Sequence, residues 1–257
     1  MEFKKKLLNG VAVERIYREL IQLLITDNPS HYIRENKQII FEILPELKPM
    51  DGFNQHNSWH IYDVFEHTLV VLENTEKNIF LRFAALFHDI GKPSKFFTDD
   101  KGIGHFYGHP EKSEEIFKSI ATRLKMDNKT KKLVSKLIKD HDSTLSHKPD
   151  KIYEFLKTNG FDYTLLLFKL KRADNLGQNP EKTKTVLEEL AKLEELYKEH
   201  MLRFDNLQIN GSKLIELGYS GQRIKLILDD VTKLVVTNQL SNDEVSIMEY
   251  ISRRHRI

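Results

Sequence analysis

This sequence predicts an all-α fold, and three observations carry that prediction. Apolar residues recur at three- and four-residue spacing almost from end to end, the period of a helix with one buried face. Only 11 glycines and 7 prolines punctuate the 257 residues, too few for a turn-rich sandwich or barrel. No segment alternates apolar and polar residues with the period of two that a half-buried strand requires.

The elements follow in order. Val13, Ile16, Leu20, Leu23 and Leu24 share one face of a helix over residues 13–25. Pro29-Ser30 breaks it, with Ser30 placed to cap the next helix. Residues 62–74, 79–90, 110–124 and 128–141 each carry an apolar stripe, as do 150–159, 162–177 and 182–199. The run Ile79 to Phe87 is apolar nearly all round, which predicts a buried helix; it leads into His88-Asp89, and Ile90, Gly91 and Lys92-Pro93 stop it. Residues 94–108, with Gly102, Gly104 and Gly108 among aromatics, are irregular and suit a hairpin. After the Asn210-Gly211 turn come short helices near 212–217, 221–238 and 242–254, separated by Gly218 and a polar stretch from Asn238 to Asn242. Val186, Leu190, Leu193 and Tyr197 repeat at heptad-like spacing, enough for packing in a bundle but too short for a coiled-coil dimer.

Linkers of low complexity and internal repeats are absent, so domain boundaries are soft. The best lie near residue 55 and at Gln178-Asn179-Pro180, where the residue before proline is pushed out of helical geometry. This divides the chain into an N-terminal helical segment (1–55), a central domain (56–178) and a C-terminal helical segment (179–257).

Forty lysines and arginines against 38 carboxylates leave a formal charge of +2, so the whole molecule is neither a strongly basic nucleic-acid binder nor an acidic tail protein. With no cysteine, disulfide frameworks, thiolate catalysis, cysteine zinc sites and iron–sulfur clusters are excluded. Met1 to Gly10 has too short an apolar stretch for a signal peptide. No run approaches the ~18 apolar residues of a membrane span. A soluble cytoplasmic protein without a membrane partner is therefore expected.

Histidine and carboxylate must then supply any metal site. Eight of the 11 histidines (56, 60, 67, 88, 105, 109, 141 and 147) lie between residues 56 and 147. His67 falls three after Val64 and four before Val71, on an apolar stripe. His141 continues the stripe of Val134, Leu137 and Ile138. His109 heads the 110–124 helix, with Pro110 suited to its first turn, and aligns with Ile116 and Ile120. Asp174 follows Leu170 by four and Leu166 by eight, a carboxylate on a buried face. A carboxylate such as Asp89, at the end of a buried helix, costs several kcal/mol or is forced to protonate unless it has partners. A divalent cation is the most economical partner for several imidazoles and carboxylates at once. A single inward histidine is more often a hydrogen-bonded core residue than a ligand, so His56, His60, His105 and His147 stay in that class, with some chance of touching substrate. His31, His200 and His255 read as surface.

The joint pattern resembles the HD superfamily of metal-dependent phosphohydrolases, whose order is His … His-Asp … Asp. Asp63-Val-Phe-Glu-His67-Thr-Leu resembles the first element, Arg82-Phe-Ala-Ala-Leu-Phe-His88-Asp89-Ile-Gly-Lys92 the second and Arg172-Ala-Asp174 the third. Gly108-His109-Pro-Glu-Lys-Ser and His141 resemble the two extra histidines of members that hold two metal ions. A narrower resemblance covers nearly the whole chain. Val13-Glu14-Arg15-Ile16 to Glu19-Leu20, Ile43-Leu44-Pro45-Glu46-Leu47 and Leu207-Gln-Ile-Asn-Gly211 to Gly218 are similar to the regions flanking the HD domain in bacterial CCA-adding tRNA nucleotidyltransferases. Those enzymes begin with a head carrying Gly-Ser and a paired-aspartate strand. This chain starts after it: Gly211-Ser has no carboxylate pair downstream, and Asp140-His-Asp142 ends a basic helix. Nucleotide addition by this chain alone is therefore not expected.

The resemblance implies that His67, His88 and Asp174 complete one metal and His109 and His141 a second, with Asp89 bridging and acting in catalysis. Lys92 and Arg172 are the candidate phosphate-binding cations, and Lys92 is placed with the catalytic group. The implied activity is hydrolysis of nucleotide or RNA-end phosphoesters, such as 2′,3′-cyclic nucleotides, by a metal-activated water. A site of mostly histidine suits two divalent transition ions (Mn, Fe, Co, Ni or Zn) better than magnesium. The alternative is a non-catalytic tRNA- or RNA-binding module, or an accessory subunit of a separately encoded nucleotidyltransferase. Its support is the basic run Arg123 to Lys139, in which Lys125, Lys129, Lys132, Lys136 and Lys139 recur at helical spacing, and the Arg253-Arg254-His255-Arg256 tail. A lysine stripe on an amphipathic helix is usually its wet face.

Overall fold

The computed structural model describes residues 12–255, and within them the protein is built from 14 α-helices, one 3-10 turn and a single two-stranded hairpin. The Met1 to Gly10 segment and Arg256 of the basic tail lie outside the described residues. No described helix is long and apolar enough to cross a membrane.

The helices are α1 (Val13–Leu24), α2 (Pro29–Glu35), α3 (Lys37–Ile43), α4 (Val64–Glu73), α5 (Ile79–Phe87) and α6 (Lys92–Lys95). Strands β1 (Phe97–Thr98) and β2 (Gly104–His105) pair antiparallel, Phe97 opposite His105. Then come α7 (His109–Arg123), α8 (Asn128–Asp140), α9 (Pro149–Asn159), α10 (Phe161–Leu176), α11 (Pro180–Asp205), α12 (Gly211–Glu216), α13 (Gln222–Val236) and α14 (Glu244–Arg254). Starts are marked by side-chain caps that accept orphan backbone N–H groups: Asp63 from Glu66, Asn78 from Phe80 and Leu81, Asp127 from Thr130, Asn210 from Lys213 and Asp243 from Ser246.

Several details differ from the sequence reading. Ser30 lies inside α2, not at its cap, and its buried hydroxyl donates to Glu73, because Pro29 already supplies a pre-set first turn. Helix α5 ends at Phe87, so His88 to Gly91 form a turn. Pro93 does not stop a helix but opens α6, where a missing N–H costs nothing. In α11 the buried stripe is Leu193, Tyr197 and Met201, and Val186 is exposed.

The chain divides into two compact units, one holding residues 12–143 and 165–190, the other residues 144–164 and 191–255. In the first, α5 is central, flanked by α1, α4 and α8. Phe65, Phe83, Phe87 and Phe117 are fully buried there, Phe87 meeting Phe117 with ring centroids 5.5 Å apart. Arg82, on α5, is also buried. Its guanidinium donates to the carbonyls of Leu24, which ends α1, and Thr26 beyond it, and to those of Thr75 and Glu76 after α4. It thereby satisfies helix ends that would otherwise be orphaned in the core. The second unit closes around Leu214, Tyr219, Ile227, Val231, Val235, Ile247 and Ile251.

Candidate metal centre

Four imidazoles from four parts of the first unit meet at the turn after α5. His67 comes from α4, His88 from the end of α5, His109 from the first residue of α7 and His141 from the end of α8. All four are buried. Each turns its Nδ1 to a backbone carbonyl: His67 to Gly177 (3.0 Å), His88 to Ala85 (2.8 Å), His109 to Phe106 (3.0 Å) and His141 to Ile138 (2.6 Å). A carbonyl can only accept, so Nδ1 carries a proton, and in the neutral form of each ring Nε2 is left with its lone pair. The four lone pairs point at one another, with Nε2 separations of 3.4 Å (His67–His88) and 3.2 Å (His109–His141).

Asp89 stands between them. Its Oδ2 lies 3.3 Å from His67 Nε2 and 3.2 Å from His88 Nε2, and its Oδ1 3.2 Å from His109 and 3.7 Å from His141. Donor atoms of His67, His88 and Asp89 fall within 4.8 Å of one another, as do those of Asp89, His109 and His141. Asp174, reaching in from α10, places Oδ1 3.0 Å from His67 Nε2 and 3.6 Å from His88 Nε2. Neither Asp89 oxygen receives a hydrogen bond, although both are fully buried. Lys92 Nζ is 2.7 Å from Oδ2 as an ion pair, out of line for donation. Convergent lone pairs around an orphaned carboxylate are unfavourable alone and fit divalent cations, one in each group of donors.

The electrostatics agree. Burial opposes charge on His67 and His88, yet Asp174 and Asp89 outweigh it and raise both, His88 to about 10. Burial also opposes ionisation of Asp89 and Asp174, but the charges on His88 and Lys92 hold Asp89 well below the usual carboxylate range, and His67 and His88 beside it do the same for Asp174. Burial, then the charge on His88, pushes His141 down to about 3. The centre favours added positive charge around its carboxylates, which a metal ion supplies.

Close approach explains two glycines. A Cβ on Gly91 would sit 2.7 Å from backbone atoms of His109 and Ser113, so the first turn of α7 can reach the centre only against glycine. A Cβ on Gly177 would sit 2.8 Å from Val71 Cγ2 and 3.1 Å from His67 Nδ1.

A cavity of about 300 Å³ opens onto Asp89, His109, His141 and Asp174. Lys92 also lines it, buried, with Nζ donating to Gln55 Oε1 at 2.9 Å and lying 3.4 Å from His60 Nε2. The fold thus brings together His67, His88, Asp89, His109, His141, Asp174 and Lys92. It does not bring in Arg172, which is exposed and outside the cavity lining. Of the remaining histidines, His60 and His105 line the cavity, whereas His56 and His147 are exposed. His31 is exposed as expected. His200 is buried, not on the surface, because it extends the inward stripe of α11. His255 is half-buried and paired with Asp230 at 2.9 Å. The stripe on α7 is Ser113, Phe117 and Ile120, with Ile116 half-buried.

Sequence reasoning missed Gln55 and Lys171. The Lys171 ammonium donates to the carbonyls of His141 (2.6 Å) and Ser143 (2.5 Å), fixing the end of α8. Neither residue carries a pattern that announces such a role.

Residues 60–179 match the HD domain family. The chain is 35% identical over 138 residues to an A-adding tRNA nucleotidyltransferase of Deinococcus radiodurans, covering 51% of this chain and 32% of that protein. It is 29% identical over 142 residues to a multifunctional CCA protein of Shewanella frigidimarina (53% and 34%). It is 30% identical over 150 residues to one of Psychromonas ingrahamii (55% and 35%). The matched stretch is thus about half of this chain and about a third of each relative. His67, His88-Asp89 and Asp174 all lie within the stretch that matches the HD domain family.

Proposed function

We propose that this protein hydrolyses phosphoesters of nucleotides or RNA ends, with 2′,3′-cyclic nucleotides first among them. One observation carries the reading: a buried carboxylate, Asp89, whose two oxygens lack hydrogen bonds while four imidazole lone pairs surround it. Divalent ions, when bound by His67, His88, Asp89 and Asp174 and by Asp89, His109 and His141, supply Lewis acidity toward a phosphoryl oxygen and lower the pKa of a water. The imidazole-rich donors favour Mn, Fe, Co, Ni or Zn over magnesium.

The chain's own groups do the rest. The four Nδ1–carbonyl bonds aim the ligands. Gln55 and Asp89 hold the Lys92 ammonium at the cavity wall, where it binds a phosphoryl oxygen and offsets charge in the transition state. Arg172, outside the lining, would meet only a substrate long enough to leave the cavity, such as an RNA end.

The test is hydrolysis across a nucleotide panel including 2′,3′-cyclic AMP, with Mn, Ni or Mg added, for wild type and Asp89→Ala. Metal-dependent turnover that falls at least about a hundredfold in the variant is expected. Equal rates in both proteins would sink the reading.

A second reading has its own observation. Lys118, Lys131, Lys132, Lys136 and Lys139 line a groove of about 640 Å³ on α7 and α8, where they outnumber the acidic Glu114 and Asp140. Such a surface suits an RNA backbone, and the Deinococcus radiodurans relative is named a tRNA nucleotidyltransferase. The rest of the lysine stripe is used otherwise: Lys125 pairs with Glu14 at 2.5 Å, and Lys129 lies over the Phe80 ring. RNA affinity that falls with salt, with a slope reduced by roughly one for each of Lys131, Lys132 and Lys139 changed to Gln, would support an RNA-binding role.

A further inference from the structure

The hairpin after α6 ends in a group of aromatic rings that the metal centre does not use. Phe97 on β1 pairs across the ladder with His105 on β2, their rings stacked at 5.3 Å. Tyr107 follows His105 by two, in the turn between β2 and α7. Its ring stacks on His105 at 5.4 Å and lies 5.6 Å from Phe97. The assembly is held firmly. His105 Nε2 is 3.0 Å from Asp99 Oδ2, and Asp99 Oδ1 accepts the N–H groups of Lys101 and Ile103 across the tip. Gly104 N–H donates to His56 O at 2.8 Å, tying β2 to the segment before α4.

Core packing does not account for Tyr107, which is 75% exposed. It stands two residues before His109, across Gly108, and with His105 lines the cavity that opens onto Asp89. An exposed tyrosine ring, backed by two further rings and beside a phosphate-binding centre, has an evident chemical complement in a planar heterocycle linked through a sugar to a phosphate.

We infer that the Phe97–His105–Tyr107 ledge is a nucleobase-stacking subsite, which makes the preferred substrate a nucleotide rather than a baseless phosphoester. Every base offers a π-face, so the ledge favours a base without choosing strongly among the four. The inference deepens the hydrolase reading above and rests on it for the position of the phosphate.

The test compares 2′,3′-cyclic AMP with glycerol 1,2-cyclic phosphate, which has the same reacting ring and no base, in the manganese-loaded protein. Tyr107→Ala should raise KM for the nucleotide about tenfold with kcat little changed, and leave the glycerol ester unaffected. Tyr107→Phe should restore the wild-type KM, and Tyr107→Leu should not. Equal effects on both esters, or none on either, would overturn the ledge while leaving hydrolysis intact. If wild type turns over neither ester, the hydrolase reading has failed, and calorimetric titration with AMP and with ribose 5-phosphate decides the ledge separately. AMP binding weakened about tenfold by Tyr107→Ala, with ribose 5-phosphate unchanged, supports it. An AMP affinity indifferent to Tyr107 overturns it.

Discussion

At the scale of single residues, the aim of each imidazole matters as much as its presence. Gly177 shows this, because its carbonyl holds His67 Nδ1 while its missing Cβ leaves room for the ring. Gly177→Ala should therefore weaken metal binding about 10–100-fold with no ligand removed, as competition with a chromogenic chelator would show. Titration gives a second expectation. In chelator-treated protein, His88 is raised to about 10 from 6.5, so its contribution to stability is full below about pH 6.5 and is lost as pH rises towards 10. His60 and His141 are pushed down to about 3, by burial first, so stability falls as pH drops from about 6.5 towards 3. Thermal unfolding of that protein should peak near pH 6.5 and decline on both sides. The convergence of the six candidate ligands was legible because histidine or aspartate on an inward face is conspicuous in a helical sequence. Gln55 and Lys171 were not, since a glutamine in a loop and a lysine on a helix are ordinary until a distant ammonium or carbonyl is folded against them. His200 misled because its polarity suggested water, whereas its neighbours Tyr197 and Met201 turn that face inward.

At the scale of elements, helix ends do most of the positioning. Asp127 caps α8 by accepting the N–H of Thr130 at 2.9 Å and its hydroxyl at 2.7 Å. Asp127→Ala should cost about 1–2 kcal/mol in chemical denaturation and spare the candidate metal centre. Gly91→Ala should be worse for the centre, because the added methyl meets the backbone of α7 and displaces His109; roughly 1–3 kcal/mol of lost stability is expected, with lost metal affinity. The longer helices were legible from periodicity alone and the hairpin from glycines among aromatics, whereas the short α3 and α6 were not. Helix ends were less so. The stop at Phe87 and the start at Lys92 depend on how the turn between them meets α7 through Gly91 N–H and Ser113 Oγ, 2.9 Å apart. That contact is remote in sequence and leaves no local signal.

At the scale of the whole molecule, all six candidate ligands lie in one compact unit, built from residues 12–143 and 165–190. A metal that binds only the folded form stabilises it by mass action. Added manganese should slow amide hydrogen exchange around Phe65, Phe87 and Ile138, with no matching change in the cluster of Leu214, Val231 and Ile251 of the other unit. Protection spread evenly over both clusters would contradict this placement.

Three of the four imidazoles lean on a carbonyl only three residues earlier: His88 on Ala85, His109 on Phe106 and His141 on Ile138. Their aim is short-range information, present as soon as each helix end forms. His67 differs, for its anchor lies 110 residues further along the chain. Until the end of α10 arrives, bringing Asp174 and Gly177 together, that ring has no fixed heading. His67 thus acts as the keystone of the arch: the centre is finished only when the last stretch of its unit has docked, so a partly folded chain does not carry a complete one.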